Sequence, residues 1–491
     1  MTLHIKNINY IRLSLATILL FLTLCSMLKY SGDPYIYILF SISAHFLLYS
    51  GFRRQALFFD TFIGIFIWLG FWLKHFFVIM IFQNTFEIKA YRFFDGSTEI
   101  VDQSLLVSTF GIAGFLLASY FRSNYLKFIS FNSTQSIDYS YHVYIKYKKY
   151  ILASLILMIL TIALFNYNYS IYQRGMVANY VLPYKLNGVI TWLLLFGFAT
   201  FVTIIIQYEI KQNKCLTLQP IVLNFLESFI SNVSILSRGM LLNSLSVFLG
   251  AFKYLKINHF IINKKILFQS CLVFSFAFML SLYVVSSARS TSHSKRPINN
   301  TTYVSENVSH LNYSRNFQML DAKKFFKKIY KLVVNRWIGI EGVVVVTSYP
   351  EKGGLLFKRA WGERYKGYGT SFYDQTMINS PYSNIDTNKH HFVSIPGIIA
   401  FLFYTGSTLF VIVSTFLIGI VMSFAEYVIY KLTSENIILC SLLSQVIAYR
   451  LCHFGYVPAQ SYLLFGAIIL NVFLIYMINK LIYYFFNKQY E

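Results

Sequence analysis

The sequence predicts an all-α polytopic membrane protein with about twelve transmembrane helices and one large extracytoplasmic loop. The chain has 491 residues, of which 56% are hydrophobic and 12% are charged, and its mean hydropathy is +0.54. A soluble protein of this length carries roughly a quarter charged residues. Long apolar segments recur along the chain, and a single polar stretch of about a hundred residues, from Ala288 to Ile395, interrupts them.

A transmembrane helix needs about 20 predominantly apolar residues. Twelve segments meet or approach that requirement, at residues 11–29, 35–50, 57–82, 104–121, 149–168, 187–208, 219–235, 239–255, 266–287, 398–429, 437–453 and 460–480. They divide the chain into nine helices over residues 1–287, a large periplasmic loop over residues 288–395, and three more helices over residues 396–491. The tenth apolar segment is too long for one simple helix, so a separate half-helix is expected before Gly406.

The positions of Lys and Arg predict the orientation, because cytoplasmic loops of membrane proteins retain an excess of both residues. Alternate loops are rich in Lys and Arg when both termini are cytoplasmic, and this register places the 288–395 loop outside. The net charge of +23 is then explained by cytoplasmic loops beside anionic lipid, so a nucleic-acid partner is not expected.

The large loop combines 16 Lys and Arg residues with 7 Asp and Glu residues. Within it, residues 321–333 place apolar side chains at helical spacing with lysines opposite, which predicts a basic amphipathic helix lying on a membrane surface. The basic excess indicates an anionic, phosphate-bearing substrate at that surface.

Several cations from separate segments are candidate pyrophosphate contacts, because arginine binds phosphate through a bidentate fork. The most specific is Arg238, in Ser237-Arg238-Gly239 between two apolar segments. The others are Arg289 directly after the ninth segment, Arg174 in a smaller outer loop, Arg336 after the amphipathic helix, and Lys74 late in the third segment. For each of them, a solvated or snorkelling side chain is the alternative interpretation.

His390 and His391 lie a few residues before the chain re-enters the membrane. A neutral imidazole accepts a proton near physiological pH, so either residue is a candidate catalytic base, and the sequence does not choose between them. The five cysteines have no metal-ligand spacing and no Walker loop is present, so neither a metal nor another cofactor is expected.

Three stretches carry a resemblance to a known family. They are Leu236 to Gly239, the end of the large loop from His391 to Pro396-Gly397, and the run Arg336-Trp337-Ile338-Gly339-Ile340-Glu341-Gly342. Residues 68–74 show a weaker similarity to the same family. With this topology, the chain resembles bacterial O-antigen polymerases (Wzy-type oligosaccharide repeat-unit polymerases), which are related to the O-antigen ligases.

The resemblance implies an enzyme of the bacterial inner membrane that joins two polyprenyl-pyrophosphate-linked oligosaccharides at the periplasmic face. Arg238 and Arg289 would bind the pyrophosphate, Arg174 and Arg336 would be secondary contacts, and His391 or His390 would deprotonate the acceptor hydroxyl. A polysaccharide chain-length regulator is implied as a partner.

Three other functions are compatible with the sequence. An O-antigen ligase shares the expected fold and chemistry and differs in its acceptor. A flippase for lipid-linked oligosaccharides also has many helices, but such transporters usually have short loops and two similar halves. A membrane scaffold without chemistry would use Arg238 and the histidines only to contact lipid headgroups.

Overall fold

The computed structural model describes residues 2–53, 55–82, 86, 91–126, 131, 139–237, 239, 241–261, 263–294, 337–365, 370–379 and 393–487. In this part of the chain the regular structure is entirely helical. The α-helices are α1 (Thr2–Met27), α2 (Pro34–Gly51), α3 (Phe58–Ile67), α4 (Lys74–Phe82), α5 (Thr98–Tyr125), α6 (Tyr139–Tyr169), α7 (Leu186–Trp192), α8 (Phe198–Asn213), α9 (Leu218–Ser234), α10 (Leu241–Ile257), α11 (Lys264–Ser294), α12 (Ile340–Ser348), α13 (Gly354–Trp361), α14 (Phe372–Thr376), α15 (Ile398–Leu402), α16 (Thr408–Leu432), α17 (Ile437–Cys452) and α18 (Tyr462–Asn487).

The chain is a helical multi-pass membrane protein. Within the described ranges, seven helical stretches are long and apolar enough to cross a bilayer: Phe58–Ile81, Thr98–Tyr125, Ser140–Tyr169, Pro183–Asn213, Lys265–Val285, Thr408–Leu432 and Pro458–Phe485. Two shorter apolar helical stretches, Ser14–Met27 and Ile437–Cys452, accompany them.

Helix α16 shows how these helices divide their two faces. One stripe at helical spacing is buried and mostly small or polar, consisting of Val411, Thr415, Gly419, Ser423 and Glu426. The opposite face is exposed and apolar, consisting of Leu409, Val413, Leu417, Val421 and Phe424. An exposed apolar face of this length suits contact with lipid, while small residues let α16 pack closely along α5.

The tenth apolar segment is broken where the sequence predicts a separate half-helix. Helix α15 is followed by a 3₁₀ turn, Phe403–Thr405, and Gly406 then adopts a φ of +75° before α16 begins at Thr408. Glycine has no Cβ and adopts this left-handed conformation without strain. The Ser407 side chain accepts a hydrogen bond from the Phe410 N–H at 3.2 Å and caps the new helix. The amphipathic helix predicted at residues 321–333 lies outside the described residues.

A π-helical turn, Trp68–Leu73, joins α3 to α4. It contacts the part of the large loop that contains Ile338 and Gly339. A Cβ on Gly70 would lie 2.2 Å from the Ile338 carbonyl oxygen, and one on Gly339 would lie 2.1 Å from the Gly70 carbonyl oxygen. The two backbones are therefore in direct contact, which is possible because neither residue has a side chain.

Lys74 completes this attachment. Its ammonium donates hydrogen bonds to a Glu341 carboxylate oxygen at 2.5 Å and to the Trp337 carbonyl oxygen at 3.0 Å. The Lys74 side chain is 1% exposed and that of Glu341 is 30% exposed. Because a buried ammonium needs a partner inside the protein, this ion pair fixes α12 against the start of α4.

We predict that Gly70→Ala lowers the stability of the protein, because the new methyl group collides with the backbone at Ile338. The expected loss is about 1–3 kcal/mol, typical of overpacking a close contact. The measurement is the thermal midpoint of the purified protein in detergent. Gly466→Ala is the matched control, since its Cβ meets nothing within 4 Å and should leave the midpoint unchanged or raise it slightly. An equal midpoint for both variants would contradict the contact.

We also predict that Lys74 and Glu341 are energetically coupled. Glu341→Gln should destabilise the protein by about 3 kcal/mol, because it leaves the buried ammonium without its counter-charge. Lys74→Met/Glu341→Gln should cost less than the sum of the two single substitutions, by about 0.5–3 kcal/mol. Thermal unfolding of the four proteins gives this coupling, and strictly additive losses would reject the pair.

Candidate functional site

The structure describes some of the predicted site residues and not others. His390, His391, Arg238 and Arg336 lie outside the described residues. Arg289 belongs to helix α11, of which only the backbone is described at that position. For these five residues the predicted roles stay predictions. The side chains of Arg174 and Lys74 are described.

Lys74 lies in the ion pair with Glu341 and anchors the segment that follows Trp337. These contacts give Lys74 a structural task. Its predicted contact with pyrophosphate stays a prediction.

The loop that carries Arg174 follows α6 and is held by Asn166, a fully buried residue in the last turn of that helix. The Asn166 amide donates to the carbonyl oxygens of Ser234 at 3.0 Å and of Tyr172 at 3.1 Å, and its oxygen accepts from the Tyr172 N–H at 2.9 Å. The Arg174 N–H then donates to the Ile235 carbonyl oxygen at 2.9 Å. The loop after α6 is therefore tied to the turn between α9 and α10.

That turn contains the Ser-Arg-Gly sequence, and its described residues are buried. Leu236 has a φ of +49°, which reverses the chain after α9. Ser237 is 0% exposed, and its hydroxyl accepts a hydrogen bond from the Gly239 N–H at 3.1 Å. Helices α9 and α10 have 17 residues each, and at about 1.5 Å per residue they are shorter than a bilayer core of about 30 Å. The sequence predicts this turn at the outer surface, and in the structure it is bonded to the Arg174 loop and to Asn166.

Arg174 lies among aromatic hydroxyl groups. Its guanidinium donates hydrogen bonds to the hydroxyl oxygens of Tyr172, on the same loop, and of Tyr449, near the end of α17. The side chain is largely buried. The neutral phenol oxygens accept hydrogen bonds from some of the guanidinium N–H groups, but they do not neutralise its positive charge.

Arg450 is the second cation of this site. It interacts electrostatically with both Arg174 and Tyr172, and the interaction with Arg174 is unfavourable. The Arg450 Nε is buried and has no hydrogen-bond partner among the described residues. A buried N–H without a partner costs about 1–3 kcal/mol, and a like charge nearby adds to that cost. We call Tyr172, Arg174, Tyr449 and Arg450 the arginine–tyrosine cluster.

His453 adjoins the cluster one turn beyond Tyr449. The two rings stack with centroids 3.9 Å apart, and the His453 Nδ1 lies 3.0 Å from the Tyr449 carbonyl oxygen. A carbonyl oxygen only accepts, so Nδ1 carries the hydrogen, and Nε2 of the neutral ring carries the lone pair. This tautomer suits a general base.

Further aromatic residues continue the site beside the cluster. Tyr365 interacts electrostatically with Tyr172, and its ring lies 6.4 Å from that of Tyr456. Burial raises the pKa of both phenols, so they stay neutral near pH 7. Glu363 accepts hydrogen bonds from the N–H groups of Phe372 at 2.5 Å and Val457 at 3.1 Å, which joins the large loop to the turn after α17. Amphipathic rings of this kind suit the faces of a sugar.

The structure thus brings Arg174, predicted from the sequence, together with residues that the prediction missed. Tyr449, Arg450 and His453 lie at the end of the segment predicted at 437–453. Polar residues at that position are typical of the end of a transmembrane helix, so they are not among the site residues that the sequence predicts. A signal was available, because an arginine inside an apolar segment is costly and marks a functional site by default. Among the described residues no group of three His, Cys, Asp or Glu side chains is placed to hold a metal ion.

In comparisons with family models, curated proteins and solved structures, nothing matches this chain. The arginine–tyrosine cluster and the sequence features near it are therefore the basis for a functional proposal.

Proposed function

We propose that the protein is a Wzy-type O-antigen polymerase, which joins polyprenyl-pyrophosphate-linked oligosaccharide repeat units at the periplasmic face of the bacterial inner membrane. One observation carries this proposal. Arg174 and Arg450 come from separate segments and lie close enough for their charges to repel each other, at the end of the apolar helical bundle where the Arg174 backbone is bonded to Ile235, just before the Ser-Arg-Gly turn. The family resemblance of that turn and of the large loop supports the same function.

The electrostatics of the cluster favour an anion with more than one charge. Holding two guanidinium groups together in a poorly hydrated site is unfavourable until an anion lies between them. The buried Nε–H of Arg450 has no hydrogen-bond partner among the described residues, so the guanidinium is not fully satisfied by the protein there. Donors fixed in advance stabilise charge that develops on a leaving pyrophosphate, and they do so strongly where water is excluded.

The orientation follows from the twelve predicted segments. Each of them contains a helix of the structure, and we infer that both termini lie in the cytoplasm. The short helices α9 and α10 then form a hairpin that begins and ends on the cytoplasmic side. Helices α6, α9 and α17 then all end at the periplasmic side. The arginine–tyrosine cluster lies where these three helices end, which is the side on which the large loop is predicted.

In the proposed reaction, a hydroxyl oxygen of one oligosaccharide attacks the anomeric carbon of the other. The bond from that carbon to the pyrophosphate oxygen breaks, and polyprenyl pyrophosphate leaves with the electron pair. Arg174 and Arg450, with Arg238 and Arg289, bind the leaving group, and no metal is used. The hydroxyl proton passes to a histidine, for which His391, His390 and His453 are the candidates. The aromatic rings orient the sugars, which brings the two reacting groups together.

An O-antigen ligase and a lipid-linked oligosaccharide flippase are the alternative functions. The ligase would use the same cluster with a different acceptor. The flippase would have to carry the anion across the membrane, and the long loop predicted after the ninth segment is unusual for such transporters. The surface polysaccharide of a deletion strain distinguishes the three: single repeats attached outside indicate a polymerase, unattached polymer indicates a ligase, and repeats retained inside indicate a flippase.

We predict that Arg450→Ala and Arg174→Ala each reduce polymer formation about 10²–10³-fold, the range typical of losing one preorganised donor to a developing negative charge. The measurement is the ladder of surface polysaccharide in a deletion strain complemented with each variant. Arg359→Ala is the matched control, because Arg359 is an exposed arginine on α13 of the large loop. Immunoblots establish equal protein levels. A normal ladder with both variants would refute the proposed site.

We predict that only one of His391→Ala, His390→Ala and His453→Ala abolishes the ladder, because one general base contributes about 10²–10⁴ in rate. The glutamine variant at the same position should be equally inactive, because a neutral amide does not act as a base. Normal ladders from all three alanine variants would show that the reaction uses no histidine base among these positions.

A further inference from the structure

The end of the bundle opposite the arginine–tyrosine cluster contains a basic cavity of about 190 Å³, lined by Arg53, Gln55, Arg122 and Ser123. It lies where α2 and α5 end and α3 begins, so it is at the C-terminal end of α5. Since one water occupies about 30 Å³ in the liquid, the cavity has room for a phosphate group and a few waters.

Arg122 carries the first argument for an anionic ligand. Its side chain is 2% exposed, its Nη2 donates to an Asp60 carboxylate oxygen at 2.7 Å, and its Nη1 donates to the Gln55 carbonyl oxygen at 3.2 Å. The Nε is also buried and has no hydrogen-bond partner among the described residues. Arg122 therefore lines the cavity with a guanidinium whose orientation is fixed on two sides and whose hydrogen bonds are not all satisfied within the described residues.

Arg53 supplies the second cation. Its Nε donates to the Ser50 carbonyl oxygen at 3.1 Å and its Nη2 donates to the Ser119 hydroxyl at 2.9 Å. Within the described ranges it forms no ion pair with a carboxylate. Arg53 is therefore held in place by neutral groups and brings a full positive charge to the cavity.

The carboxylates nearby are already engaged. Asp60 pairs with Arg122, and it also accepts from the Leu57 N–H at 3.2 Å. Glu426 accepts from the N–H groups of Phe58 and Phe59 at 2.9 and 2.8 Å. Lys253 contributes a further cation, with its ammonium 4.5 Å from the centroid of the Phe58 ring. Three cations against two carboxylates leave a positive balance at this end.

We propose that this cavity binds a phosphate group, supplied by the headgroup of an anionic phospholipid or by a soluble phosphate compound. Two arginines held by fixed partners match the oxygens of a phosphate, and the position at an end of the apolar bundle is that of a lipid headgroup. The site is separate from the proposed polymerase reaction, so either proposal can fail without the other.

The test measures thermal stabilisation of the purified full-length protein in detergent by phosphatidylglycerol, phosphatidylcholine and inorganic phosphate. Arg53→Gln removes one cation and leaves the Arg122–Asp60 pair intact. Ser123→Phe fills the cavity without changing any charge. Lys256→Gln is the matched control, because Lys256 is exposed in the last turn of α10 at the same end of the bundle.

We expect phosphatidylglycerol to stabilise the unmodified protein and Lys256→Gln, with an apparent affinity at least tenfold weaker in Arg53→Gln and Ser123→Phe. Phosphatidylcholine, which has no net charge, should stabilise all four proteins equally and weakly. Inorganic phosphate acting as well as phosphatidylglycerol, with the same loss in both variants, would support the soluble source. Equal stabilisation of all four proteins by every probe would overturn the site.

Discussion

Charges that lie among apolar helices must find their partners inside the protein, and the two ends of this bundle meet that requirement differently. At one end, Arg122 pairs with Asp60, and Glu426 accepts from the first backbone N–H groups of α3. At the other end, Arg174 is bonded to phenols and Arg450 keeps a buried donor without a partner. Each end contains a buried arginine Nε–H without a hydrogen-bond partner among the described residues, that of Arg122 at the first end and that of Arg450 at the second.

The attachment of the large loop depends on the same requirement. The α3–α4 junction contains a π-helical turn, and such turns occur frequently at functional sites because they reposition the residues that follow. Here the turn exposes the backbone of Gly70 to Gly339, and one turn later Lys74 meets Glu341. A backbone contact and a buried ion pair together fix α12 against the bundle. The middle of the large loop is thereby held to the transmembrane helices.

The arginine–tyrosine cluster assembles residues of two segments that are distant in the sequence. Asn166 fixes the loop of Arg174 to the turn after α9, and Tyr449 and Arg450 come from the last turn of α17. Glu363 joins the large loop to the turn that follows α17. Asn166 and Glu363 each bond to backbone groups of another segment, which holds the loops in position where no regular structure does so.

The sequence by itself determined the helical membrane class, the position of the apolar segments and the break before Gly406. These features depend on local quantities, namely the length of an apolar run and the conformational freedom of one residue. It also offered Arg174 as one of several candidate pyrophosphate contacts, a role that stays a prediction. Only the tertiary structure decided that Lys74 pairs with Glu341, and that Arg450, Tyr449 and His453 join Arg174. Such pairs are separated by hundreds of residues in the chain, and helical periodicity carries no information about which distant side chain will compensate a buried charge.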